Sequence, residues 1–171
     1  MQLQQKYSLK ACPNFGKYAW RIIIPCFLNK IVVNFTALDV TGEAEHKYKH
    51  CPNEEATIPM KELLYNIDNA GKRLIIVEGI TDVWRIGNGA IATMGIQFTT
   101  TQIKRIVQHK PTNVTIMFDI DPSNDQSQKQ AKKLAESLSL FISKVSIYTL
   151  SQGDPDDLTA EEAAKIRKEL L

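Results

Sequence analysis

Four apolar runs in the second half of the chain, RLIIV at 73–77, AIATM at 90–94, VTIMF at 114–118 and KVSIYTL at 144–150, are separated by stretches of helical spacing. Continuous apolar strands alternating with amphipathic helices are the pattern of a parallel sheet covered on both faces, since such strands have no polar side to turn to water. The spacing predicts helices near 82–87, 100–109, 125–140 and 159–170, with Thr99 or Thr100 capping the second. Thr159 with Glu162 has the form of a capping box for the last. In the helix from 125, Ala131, Leu134, Ala135 and Leu138 form a core face, with Lys129, Lys132 and Lys133 elsewhere on its surface.

The first half reads differently. WRIIIPCFL and KIVVNFTAL are β-branched and aromatic runs joined at Asn29-Lys30, the signature of a hairpin in an antiparallel unit. A polar loop, TGEAEHKYKHCPNEEA, follows, and then a short helix is expected over 61–67. The turn-like cluster NAGK at 69–72 divides the chain into an expected β-rich unit, 1–71, and an α/β unit, 72–171.

A chain of 171 residues with 43% hydrophobic content can bury a core of its own. The balance of 21 basic against 19 acidic residues is close to neutral, so nucleic-acid binding has to come from local clusters. The opening MQLQQKYSLK lacks the apolar core of a signal peptide, and no run is long enough to span a bilayer; a cytoplasmic protein without a membrane partner is expected. Cys12, Cys26 and Cys51 form no C-x-x-C pair and read as free thiols. His46, His50 and Cys51 with Cys12 are the residues from which a zinc site would have to be built, but their spacing matches no common zinc module, so no zinc is expected.

The carboxylates at the strand ends carry the chemistry. RLIIV is followed by Glu78 and Gly79, with Asp82 at the start of the next helix; VTIMF is followed by Asp119 and Asp121; KVSIYTL leads into GDPDD, with Asp154 and Asp156. In a doubly wound sheet the strand carboxyl ends line the ligand crevice, so parallel strands bring these acids to one edge. Asp119 and Asp121, two apart in extended chain and about 6–7 Å between Cα atoms, face one side. A single D-x-D after a strand is more often a structural cap, and capping accounts for Asp82 or Asp125. It does not account for Glu78 directly after a buried run. Like charges at such density call for a cation, and oxygen ligands suit Mg²⁺ or Mn²⁺.

VEGITDV, IMFDID and GDPDDL, in that order, resemble the Toprim domain shared by bacterial primases, topoisomerases and related nucleases. The third segment is most similar to the DnaG-type primases of bacteria and phages, and RIIIP, NFTALDVTG, KYKHCPNEE and ELLYN resemble the primase stretch that leads into that domain. The resemblance implies an α/β Toprim fold, a Rossmann-like parallel sheet flanked by helices, with a small β-rich N-terminal subdomain. It implies Glu78, Asp119 and Asp121 as catalytic acids, with Asp82, Asp154 and Asp156 as further metal ligands, and Lys47 and Tyr48 at nucleotide or template. Arg21 joins them as a nucleic-acid candidate because it lies in a stretch where basic residues are interleaved with Tyr18, Trp20 and Tyr48, a mixture suited to backbone contact and base stacking.

Two departures stand out. Leu38 lies where primases usually carry an arginine, and Asn124 replaces the usual glycine after the second aspartate. The match has neither a zinc module before it nor a helicase-binding domain after it, and so resembles a primase catalytic core. The implied activity is RNA primer synthesis on single-stranded DNA from nucleoside triphosphates, with a helicase or a template-binding protein on another chain as partner. A metal-dependent nuclease and a non-catalytic DNA-binding or assembly module are the alternatives. Inactive domains have no physical need for so repulsive a cluster of acids.

Overall fold

Asn29 and Lys30 adopt φ of 54° and 65°, the left-handed pair that a tight two-residue hairpin requires. They join β2 (Arg21–Leu28) to β3 (Ile31–Asp39), which pair antiparallel from Leu28 opposite Ile31 to Arg21 opposite Asp39, with a bulge between Cys26 and Phe27. The computed structural model describes residues 3–151 and 153–171 and divides into two units, Met1–Leu63 and Leu64–Leu171.

In the first unit a helical turn, α1 (Leu3–Lys6), precedes a four-stranded antiparallel sheet. β1 (Lys10–Ala11) flanks β2, and β4 (Tyr48–His50) flanks β3. β1 reaches only Ile22 and Ile23, so Pro25 lies on an uncovered edge, where a residue without an N–H is tolerated. Ile24, Cys26, Val33, Ala37 and Leu63 are buried. A fully buried isoleucine contributes about 1.5–3 kcal/mol.

The second unit holds four parallel strands in the order β6-β5-β7-β8: β5 (Arg73–Val77), β6 (Ala90–Ala92), β7 (Asn113–Ile116) and β8 (Val145–Ile147). Four helices flank them: α2 (Ile80–Ile86), α3 (Thr100–His109), α4 (Gln126–Ser139) and α5 (Ala160–Leu170). α2 packs on α5 and α3 on α4, which gives each helix pair an apolar stripe to bury. The Thr99 hydroxyl accepts from the Gln102 amide at 3.2 Å and Gln102 Oε1 accepts from the Thr99 amide at 2.9 Å, the reciprocal cap that starts α3. At its other end Lys72 Nζ donates to the carbonyls of His109 and Lys110, each at 3.2 Å.

The helix expected over 61–67 does not form. Two short 3₁₀ turns, Met60–Glu62 and Ile67–Asn69, stand in its place, and between them Tyr65 pairs antiparallel with Ala92, N···O 2.9 and 3.2 Å. Asn66 Nδ2 donates to Ala90 O at 2.9 Å. A tertiary partner at the β6 edge overrides local helical spacing here, and it joins residues 64–71 to the second unit. β7 and β8 end earlier than the apolar runs that predict them, at Ile116 and Ile147. Among the described residues no helix is long and apolar enough to cross a membrane.

Candidate acidic site at the switch point of the sheet

The chain leaves β5 for β6 on one side and returns to β7 on the other, so the order reverses between β5 and β7. Crevices at such a reversal, beyond the strand carboxyl ends, are where ligands bind in open α/β sheets. Glu78 is the first residue beyond β5, and Asp119 stands three residues beyond the end of β7. The amide of Asp119 donates to Glu78 Oε1 at 3.2 Å across the reversal.

Burial and capping set each carboxylate. Asp82, in the first turn of α2, accepts from the Gly79 amide at 2.7 Å and is only 4% exposed. Gly79 permits that approach, because a Cβ there would lie 3.0 Å from Asp82 Oδ2. Glu78 is 6% exposed. Burial raises its pKa, against the Ser127 hydroxyl and the Asp119 amide, which favour the charged form. Asp82 is pushed up to about 6, by burial first and then by Asp154, Asp156 and Glu78.

Asp119 is pushed up to about 8, by burial first and then by Glu78, Asp82, Asp154 and Asp157. Its Oδ1 is buried without a hydrogen-bond partner, a costly condition for a charged oxygen. Its carbonyl accepts from Gln128 Nε2 at 3.0 Å.

The third acidic segment is tied to the second through the Ile120 amide, which donates to Gly153 O at 2.8 Å. Gly153 has φ of +70°, and a Cβ there would lie 2.5 Å from Asp157 Oδ2. Asp154 Oδ1 accepts from the Asp157 amide at 3.1 Å and caps a 3₁₀ turn, Pro155–Asp157. Arg85 Nε donates to Asp156 O at 3.1 Å and lies 4.0 Å from its Oδ1, which places a cation at the rim.

Glu78, Asp82, Asp119, Asp154 and Asp156 therefore form one electrostatically coupled group. Asp121 stands apart. It is exposed, and its Oδ1 accepts from the Ser123 amide at 2.8 Å and hydroxyl at 2.6 Å, bonds that hold its pKa below the usual value. The residues around Asp121 turn back on themselves instead of continuing β7, so the shared face expected for Asp119 and Asp121 is not built. Ser127, Gln128 and Arg85 join the site without having been singled out for it from sequence, and Asp157 joins it from the acidic GDPDD segment. The first two are polar residues in the first turn of a helix that directly follows an acidic strand end, which is a usable signal.

In the first unit, Arg21 donates to the carbonyls of Ala37, Lys47 and His46 at 3.1, 3.2 and 3.1 Å, so its guanidinium cross-braces the sheet. Lys47 Nζ stands 5.8 Å from the centre of the Tyr48 ring.

No protein-family model matches the chain, and no curated protein does. Among solved structures it is similar to the crystal structure of the Aquifex aeolicus primase, zinc-binding and RNA polymerase domains, with a TM-score of 0.70 and 22% identity. The likeness covers 98% of this chain and 45% of that one, so the chain spans less than half the length of its structural neighbour. The chain has a primase-related fold.

The expectation of Mg²⁺ or Mn²⁺ without zinc, drawn from the sequence, does not hold against the neighbour, whose crystal structure is of zinc-binding and RNA polymerase domains. Among the described residues no group of three or more His, Cys, Asp or Glu side chains is arranged to hold a metal ion. The physical reason lies in the caps: Asp82, Asp121 and Asp154 turn oxygens to backbone amides at Gly79, Ser123 and Asp157, so the carboxylates do not converge on one point.

Proposed function

We propose that the chain is a primase-type nucleotidyl transferase that makes RNA primers on single-stranded DNA, using a Toprim-like acidic site between β5 and β7. The observation that carries this reading is the buried carboxylate group of Glu78, Asp82 and Asp119 at the switch point, beside Asp154, in a chain with a primase-related fold. In this reaction a 3′-hydroxyl oxygen bonds to the α-phosphorus of a nucleoside triphosphate, the bond to pyrophosphate breaks, and the hydroxyl proton needs an acceptor. Asp119 is the acceptor: its affinity for a proton, about 8, lies near working pH, where a general base is most effective. Glu78 positions it through the 3.2 Å bond to its amide. A triphosphate carries the same sign as this cluster, so its approach needs cationic cover, and Arg85 stands on Asp156 at the rim.

Residues 1–71 are assigned to the nucleic-acid strand, with Lys47 and Tyr48 offering a cation beside a ring. A helicase or a template-binding protein on another chain completes the machinery, in the cytoplasm. A non-catalytic DNA-binding module is the second reading, favoured by Leu38 and by carboxylates already engaged as caps.

The test is incubation of the chain with single-stranded DNA and labelled nucleoside triphosphates across a panel of divalent cations, alongside Asp119→Asn and Glu78→Gln. Labelled RNA that disappears in both variants supports primer synthesis at this site. Shortened DNA without incorporation makes the site a nuclease. DNA binding equal in all three proteins, with no product under any condition, supports the module.

A further inference from the structure

α3 and α4 lie side by side and leave an open groove of about 340 Å³ between them. Its walls are Ile103 and Val107 from α3 and Leu140 and Phe141 just past the end of α4, with Lys104 and Ser137 among them. Leu140 is 79% exposed and Phe141 64%, two large apolar side chains in succession that the fold does not cover. Single exposed apolar residues need no explanation, but adjacent ones forming the wall of a groove mark an interaction site.

Charge indicates the occupant. α3 carries Lys104 and Arg105 and no acid, while α4 carries Lys129, Lys132 and Lys133 against the single acid Glu136. Lys129 is paired with Asp125 at 2.8 Å, at the far end of α4 from Leu140 and Phe141. The groove's lining is thus largely apolar, with Lys104 its one basic residue and no carboxylate, and Lys133, one turn before the lining residue Ser137 on α4, adds an exposed cation beside it. A nucleic-acid strand would meet the lysines but would set its phosphates against an apolar floor that offers them few donors. An amphipathic helix with acidic flanks satisfies both features: its apolar stripe fills the floor and its carboxylates meet the rim. α3, at about 15 Å of helix, gives room for about three turns of such a partner.

We propose that the α3–α4 groove is a docking site for an acidic amphipathic helix of a partner protein. Leu140 and Phe141 are its apolar anchors, and Lys104 and Lys133 its electrostatic contacts. None of the residues that line the groove belongs to the acidic site, whose α4 contacts, Ser127 and Gln128, lie at the opposite end of that helix, so the function of the groove is separable from catalysis.

The test uses the full chain and a fluorescent helical peptide of about 14 residues with Leu and Phe at helical spacing i, i+3, i+4, i+7 and glutamate elsewhere, compared with its scramble, a lysine counterpart and a single-stranded oligonucleotide. Binding is read by anisotropy, and its location by amide shifts in NMR spectra. Expected is salt-sensitive binding of the acidic helix alone, with shifts confined to α3, α4 and residues 140–141, and a weakening of about tenfold in each of Phe141→Ser and the double variant Lys104→Glu, Lys133→Glu. Both variants change exposed positions, and unchanged thermal unfolding confirms that they fold. Equal binding of scramble and helix overturns the proposal, as do shifts mapping elsewhere. Preference for the oligonucleotide at this face also overturns it, and so does self-association of the chain that Phe141→Ser abolishes.

Discussion

The amide of Asp119 donates to the Oε1 of Glu78 at 3.2 Å, and this bond brings together the carboxyl ends of the two central strands at the point where the sheet reverses its order. It leaves one acid oriented by another, while the side-chain Oδ1 of Asp119 is buried with no partner. An arrangement that favours a proton over a negative charge has measurable consequences.

Stability is expected to fall as pH rises from about 5 to about 9. Asp119 is raised to about 8 and Asp82 to about 6, so the folded chain binds protons that the unfolded chain has released, and that stabilisation is lost as pH climbs through the folded values. Asp119→Asn removes the upper part of this slope. At pH 9 its Tm should exceed that of the wild type by about 3 °C or more. Parallel Tm profiles for the two proteins between pH 6 and 9 would show that Asp119 is ionised throughout.

Asp119 and Asp121 should differ in activity despite their spacing. Loss of a general base costs typically about 10²–10⁴ in rate, and this is the loss expected for Asp119→Asn in primer synthesis. Asp121→Asn, at an exposed position turned to Ser123, should cost about tenfold or less. Equal losses in initial-rate measurements would refute the separate roles.

Gly153→Ala should be destabilising by about 1–3 kcal/mol, because alanine is strained at φ of +70° and its Cβ would press on the Asp157 carboxylate. The displaced loop also carries Asp154, so activity should fall with stability. Urea denaturation gives the first quantity; a midpoint unchanged from wild type would mean the loop relaxes freely.

Arg21→Ala should destabilise the antiparallel unit by about 1–3 kcal/mol, since three carbonyls lose a charged donor. Amide exchange should quicken in β2 and β3 and stay unchanged in the parallel sheet. An effect on DNA binding with no change in exchange would instead assign Arg21 to the nucleic acid.

Much of this architecture is legible in the sequence because local signals and burial agree. RLIIV forms β5 over the full predicted span, Thr99 and Gln102 bracket the start of a helix that ends at His109 as its spacing predicts, and Asn29-Lys30 makes the hairpin. Glu78 is conspicuous because a carboxylate directly after a buried strand has no local explanation. What is not legible depends on partners distant in sequence. Tyr65 leaves a helical pattern to pair with Ala92, and Asp121 is drawn to Ser123, two residues on, once β7 has ended at Ile116. The preference for Mg²⁺ or Mn²⁺ failed for a related reason: counting carboxylates does not reveal which of them already serve as caps.

The acids that meet at the switch point come from residues 78–82, 119 and 154–157, separated by long crossovers. During synthesis, which proceeds from the amino end, the first of them has left the ribosome well before the last is made. Their mutual repulsion also opposes assembly until strand pairing holds them in place. A nascent chain therefore carries no assembled acidic centre until the loop beyond β8 is out. Fragments ending before residue 154 lack Asp154, Asp156 and Asp157, and with them three of the charges that raise Asp82 and Asp119, however well their earlier strands pair.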